Sequence, residues 1–143
     1  MTEIMRRYDA AMELHESGNT DEAIVQLEAI VKDAPNFALA HNALGVFYGR
    51  KEDFDRALEH ASRVCELEPT DAFSFVAQSI AAIGAGQSAI AEEARAKAQE
   101  IQWAEIRKQF EEAEQAKEIA DAATDAEADV STDVNTAKDN DNA

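Results

Sequence analysis

The side chains in this chain best suited to chemistry are three histidines and one cysteine: His15, His41, His60 and Cys65. Imidazoles and a thiolate make a metal centre or an activated nucleophile only when they fall at the spacings that bring them together. Here the histidines fall on separate helical runs, with no cysteine or carboxylate at a metal-ligand spacing from any of them. Cys65 has Glu66 and Glu68 as neighbours, and their charge opposes a thiolate, so it reads as a small buried hydrophobe. The acidic pairs Glu92-Glu93 and Glu111-Glu112 read as solvated helix faces. The chain has no glycine-rich phosphate loop and no strained nucleophile turn. The sequence therefore predicts no catalytic residue, no metal site and no cofactor, and a protein that is not an enzyme.

The elements carrying these residues are helices. Five glycines and two prolines are few for 143 residues, and alanine is abundant, a mixture that favours helix over sheet. There is no alternating run of β-branched residues long enough for a strand. The opening stretch MTEIMRRYDA lacks the apolar core of a signal peptide, and no apolar run approaches the ~20 residues of a membrane helix. A lone cysteine precludes an internal disulfide and fits a cytoplasmic protein. The formal charge is −17. Residues 1–102 carry 18 acids and 9 bases, and residues 121–143 carry 7 acids against Lys138 alone. A field of that sign repels nucleic acid and anionic membrane surfaces and attracts basic partners.

Residue types recur every 34 positions: Pro35 and Pro69; Gly18, Glu52 and Gly86; Ala23, Ala57 and Ala91. Pro35 and Pro69 each end one helical run and bias the preceding residue away from helix. Asn36, Thr70 and Asp71 are suited to capping the run that follows. Turns within each unit are predicted at 17–19, 51–53 and 84–86, and helices at about 3–17, 20–33, 37–50, 54–67, 71–84 and 88–102. Small residues Ala11, Gly45 and Ser79, with Ala23, Ala57 and Ala91, let paired helices approach closely. Leu14, Leu27, Leu44 and Tyr48 fill the space around those contacts.

The middle unit reads His41, Leu44, Gly45, Tyr48, Ala57, Ala61, Pro69, and five of these seven agree in kind with the tetratricopeptide pattern; His41 and Ala61 depart from it. The chain thus resembles a tetratricopeptide repeat protein over about 1–105. The repeats fall at 4–37 and 38–71, with a degenerate one at 72–105 in which Trp103 stands where proline belongs. The resemblance implies an all-α superhelix, a solenoid of three helix–turn–helix repeats, and makes His41 a packing residue in the place of the family's tryptophan.

The resemblance also implies a binding groove on the concave side, lined by the first helix of each repeat. The matching residues are Met5, Tyr8, Met12 and His15, then Leu39, Asn42, Val46, Gly49 and Arg50, then Phe73, Val76, Ile80 and Ile83. Members that bind acidic chaperone tails use a clamp of Lys, Asn and Arg. Its places hold Tyr8, Met12, Ala43, Phe73 and Ala77 here, so that activity is not expected. The expected ligand is a protein or peptide segment, apolar or basic, with no nucleic acid and no membrane as partner.

Residues 103–120 continue as a helix with a second apolar stripe, Trp103, Ile106, Phe110 and Ala113. This stripe is rotated by roughly 120° from the stripe Ala91, Ala94, Ala98 and Ile101. It caps the open end of the third repeat, fills the protein's own groove, or projects to meet another chain. Residues 121–143 are predicted to be a disordered acidic tail. Two functions follow: an adaptor or assembly factor that takes a partner segment in its groove, or a self-associating scaffold, a homo-oligomer built on the groove or on the Trp103–Phe110 face.

Overall fold

The computed structural model describes residues 2–141, with side chains over 2–126. The protein is all-α. Six helices follow in order: α1 Glu3–Glu16, α2 Thr20–Asp33, α3 Ala38–Arg50, α4 Phe54–Leu67, α5 Ala72–Gly84 and α6 Ser88–Asp141. Two compact units are present, Met1–Gln102 and Trp103–Ala143. No helix among the described residues is long and apolar enough to cross a membrane.

In the first unit α1 packs on α2, α2 on α3, α3 on α4 and α4 on α5, and α3 also touches α5. The turns show why. After α1, α3 and α5 the chain reverses through a left-handed residue: Gly18 at φ 91°, Glu52 at φ 61° and Gly86 at φ 74°. The same bond closes each reversal, with Asn19 N–H donating to the Leu14 carbonyl, Asp53 to Tyr48 and Gln87 to Ala82. This is the 6→1 bond of a Schellman motif, which satisfies a carbonyl the helix end leaves free. The proline breaks repeat as well: Ala34 N–H donates to Ile30 at 2.7 Å and Glu68 N–H to Val64 at 2.8 Å. Glu52 is the one residue with a Cβ among the three left-handed positions, so it carries a strain that glycine avoids.

Helix starts differ from the sequence expectation at one turn. Asp71 caps α5 by accepting from Phe73 N–H at 3.0 Å, as its type predicts. Asn36 does not cap α3. The cap position is Phe37, which has no side-chain acceptor, and the Asn36 side-chain Oδ1 instead accepts from Arg63 on α4. A guanidinium within reach outcompetes a lone backbone N–H for that acceptor.

The core is densest between α2, α3 and α4, where Leu27, Ile30 and Leu44 are fully buried. The small-residue positions Ala11, Ala23, Ala57, Ser79 and Ala91 are buried as well. Gly45 is less constrained than its place in that set implies. A Cβ there would lie 3.6 Å from the Ala57 carbonyl oxygen and 3.7 Å from the Ala61 nitrogen, ordinary contact distances.

The segments predicted to be helical at 88–102 and 103–120 join in one helix, α6, Ser88–Asp141. The physical reason is the absence of a stop signal. No glycine or proline follows Gly86, and Ala, Glu, Lys and Gln dominate the segment up to residue 128. Residues 142–143 of the predicted tail lie outside the described residues.

Replacing Glu52 with glycine is expected to raise stability by about 0.5–1 kcal/mol, the left-handed penalty less the added freedom of the unfolded chain. Urea unfolding of Glu52→Gly against the unaltered protein measures it, and a loss of stability would contradict the strain at this turn.

Candidate functional site

An apolar cavity of about 310 Å³ lies between α3, α4 and α5. Small residues make its floor: Gly45 on α3, Ala57 and Ala61 on α4, Ala77 and Ala81 on α5. Val46, Ile80 and Phe54 make its walls, and Asn42, Gly49 and Arg50 its rim. A smaller crevice of about 100 Å³ adjoins it, sharing Asn42 and lined also by Leu39, Phe73, Glu68 and Asp71. The apolar surface therefore has a cation, Arg50, among the residues of the larger cavity and two carboxylates, Glu68 and Asp71, among those of the smaller.

The structure brings together five residues predicted for the groove, Asn42, Val46, Gly49, Arg50 and Ile80, in the larger cavity, and Leu39 and Phe73 join Asn42 in the smaller. Val76 and Ile83 line neither but are exposed on α5. Phe73 is 80% exposed and Ile80 63%, a large uncovered apolar area for one short helix. The α1 residues are placed differently. Met5, Tyr8, Met12 and His15 are half-buried. Tyr8 and Met12 pack against the core, and the Tyr8 ring meets Phe37 edge-on at 5.7 Å. His15 lies on Phe47 with ring centres 4.4 Å apart, while its Nδ1 is 3.0 Å from the Thr20 hydroxyl. Tyr8, Met12 and His15 thus hold α1 against its neighbours. The second predicted interface is exposed throughout: Trp103 at 64%, Ile106 at 53% and Phe110 at 67%.

Sequence reasoning missed Phe54 as a cavity wall. The signal was Gly84, 30 positions later and the last residue of α5: its missing Cβ is what makes room for the Phe54 ring. The floor alanines were visible as small residues, but as helix contacts rather than as space.

Sequence reasoning also missed a buried polar chain that crosses the α2–α3–α4 seam. The His41 Nε2–H donates to the Pro35 carbonyl at 2.8 Å, because a carbonyl can only accept. Neutral His41 then accepts at Nδ1, and the His60 Nδ1–H is the donor at 3.0 Å. His60 Nε2 lies 3.3 Å from Glu28 Oε1, an ion pair when His60 is protonated, and Tyr48 donates its hydroxyl to the same oxygen at 2.7 Å. His41 is more than the packing residue its place predicts, since it ties the proline break to two helices. Burial holds its proton affinity below that of an ordinary histidine. The Pro35 bond and the Glu28 charge oppose that shift, while the charges of His60 and Arg63 reinforce it. The Tyr48 hydroxyl is pushed up to about 12 by burial first and by Glu28 second. Cys65 is buried, and burial followed by the Asp71 charge pushes its thiol up to about 11, which leaves it unreactive near neutrality.

No group of three His, Cys, Asp or Glu side chains among the described residues is placed to hold a metal ion. No protein-family model matches the chain, and no curated protein sequence matches it.

Two outcomes follow from this geometry. Alanine at Gly84 drives its Cβ into the Phe54 ring, so Gly84→Ala is expected to cost about 1–2 kcal/mol in denaturant unfolding despite alanine's better helix propensity. Protonating His41 sets donor against donor at the His60 contact. Because folded His41 binds its proton less tightly than the unfolded side chain, its contribution to stability is complete above about pH 6.5 and is lost as pH falls below it. Unfolding free energies between pH 7 and 5 are expected to decline less steeply in His41→Gln than in the unaltered protein; parallel slopes would refute the role of His41.

Proposed function

We propose that this chain is a non-enzymatic binding module of the tetratricopeptide type that takes the apolar face of a helical or extended partner segment along α3 and α5. One observation carries the reading. The cavity between α3, α4 and α5 is lined almost wholly by apolar atoms, and Leu39, Phe73 and Ile80 stand exposed beside it. Its volume lies at the low end for small-molecule sites and suits one or two side chains of a segment docked across it. The exposed apolar groups become covered on docking, each contributing up to about 1.5–3 kcal/mol before ordering costs, which suits a reversible complex.

Charge decides which segment fits. The net charge of −17 and the pair Glu68 and Asp71 beside Phe73 favour a segment whose flanking residues are basic. The partner is thus amphipathic, with two apolar anchors for the Val46–Ile80 cavity and a lysine or arginine near Glu68. Nothing in this role needs the buried histidines or Cys65, which serve the scaffold.

The reading is tested at side chains exposed enough to be changed without unfolding the unit. Val46→Asp with Ile80→Asp is expected to abolish cross-linked recovery of partner proteins from the native cell, with helix content and unfolding midpoint close to the original. Recovery of the same partners by the double variant would exclude the cavity as the binding site.

A further inference from the structure

The second unit offers a face that the binding reading does not use. Along α6, Trp103, Ile106, Phe110 and Ala113 recur at the a and d spacing of a coiled-coil heptad, and Lys117 and Ala120 continue it. The three large side chains on this face are more than half exposed. We propose that this face pairs with the same face of a second copy of the chain, the two helices running antiparallel between Trp103 and Ala120.

Side-chain size and charge both select that arrangement. All the large residues lie in the first half of the stripe and the small ones in the second. A parallel pair would set Trp103 against Trp103 and Phe110 against Phe110, leaving Ala113 and Ala120 to face each other across gaps. An antiparallel pair sets Phe110 against Ala113 and Trp103 against Ala120, large into small at every such layer. Ile106 then meets the stem of Lys117, whose ammonium reaches water beside the helices. A polar residue at such a core position costs stability but fixes register.

Charge gives the same answer. Among the residues flanking the stripe on one side, Arg107 lies in its first half and Glu114 in its second. In the antiparallel register Arg107 faces Glu114 of the other copy, and the two-fold axis makes that contact twice. Sliding the helices by one heptad would pair Ile106 with Phe110 but would also oppose Arg107 with Arg107. Beyond Ala120 the next flanking residues to meet are Asp121 and Glu100, which repel and so end the paired stretch.

Sedimentation equilibrium of the full chain at about 0.15 M salt is the test. The unaltered protein is expected to dimerise with a Kd below about 100 μM, and Phe110→Asp to be monomeric with unchanged helix content. Arg107→Glu and Glu114→Arg should each raise the dimer Kd roughly tenfold, since each replaces two attractions by two repulsions. Combined in one chain they should return it to within about threefold of the original. A monomeric unaltered protein, or a dimer indifferent to Phe110→Asp, overturns the proposal. Failure of the combined variant to recover overturns the antiparallel register. None of these substitutions touches the α3–α5 cavity, so loss of the dimer leaves the binding reading standing.

Discussion

Every polar group that enters the α2–α3–α4 seam must find a partner there, and the first unit is organised around meeting that demand. Leu27, Ile30 and Leu44 exclude water from the seam. A polar chain crosses it, from the Pro35 carbonyl through His41 to His60, whose Nε2 lies 3.3 Å from the Glu28 carboxylate to which Tyr48 donates. Among the described residues no buried side-chain nitrogen or oxygen lacks a partner. An unsatisfied group in such a place costs about 1–3 kcal/mol, so the chain acts as a register lock: sliding α3 against α4 by one turn would orphan several groups at once. The proline that stops α2 is therefore also an anchor point, because its carbonyl supplies the first acceptor.

The cavity follows from a second consequence of helix packing. Close approach of α3, α4 and α5 relies on Gly45, Ala57, Ala61, Ala77 and Ala81, and short side chains on several facing helices leave space as well as permit contact. In the α1–α2 hairpin, Tyr8, Met12 and Leu14 pack against the core. Between α3, α4 and α5 the short side chains leave a hollow, and Phe54 walls one side only because Gly84 yields to it. The exposed residues Leu39, Phe73 and Ile80 therefore stand beside a hollow rather than on a flat face.

Much of this was legible in the residues, and for a physical reason. Turn chemistry is local: the 34-residue recurrence of Gly18, Glu52 and Gly86, and of Pro35 and Pro69, fixes chain reversals within a residue or so of where they occur. Helix faces are periodic, so the buried set Ala91, Ala94 and Ala98 could be read by spacing, while the exposed set on α5 came from the resemblance to a tetratricopeptide groove. What could not be read depends on groups distant in sequence. His41 and His60 are 19 residues apart and Tyr48 and Glu28 are 20, and no pattern marks them as partners. Asn36 looked like a cap because a cap is a local inference, and Arg63, 27 residues away, took its oxygen. The continuity of α6 has a local cause. A polar, acidic composition cannot supply a core, but it does not stop a helix when no proline or glycine interrupts the hydrogen-bond ladder.

The change of stripe along α6 connects these points. Ala91, Ala94 and Ala98 are small and buried, as residues must be where a helix lies close against others. From Trp103 the apolar residues are large, exposed and on a face turned by about 120°, and the boundary between the two units falls at that residue. A helix that only closed a stack would gain nothing from rotating its stripe, and a polar helix that only kept the chain in solution would gain nothing from a tryptophan and a phenylalanine one heptad apart. Exposed aromatic surface carries a cost in solubility, and the charges alternating around it are arranged to reject some pairings and accept one. That combination is what the proposed antiparallel pairing draws on, and it differs in residue size and charge order from the alanine-rich lining of the cavity between α3, α4 and α5.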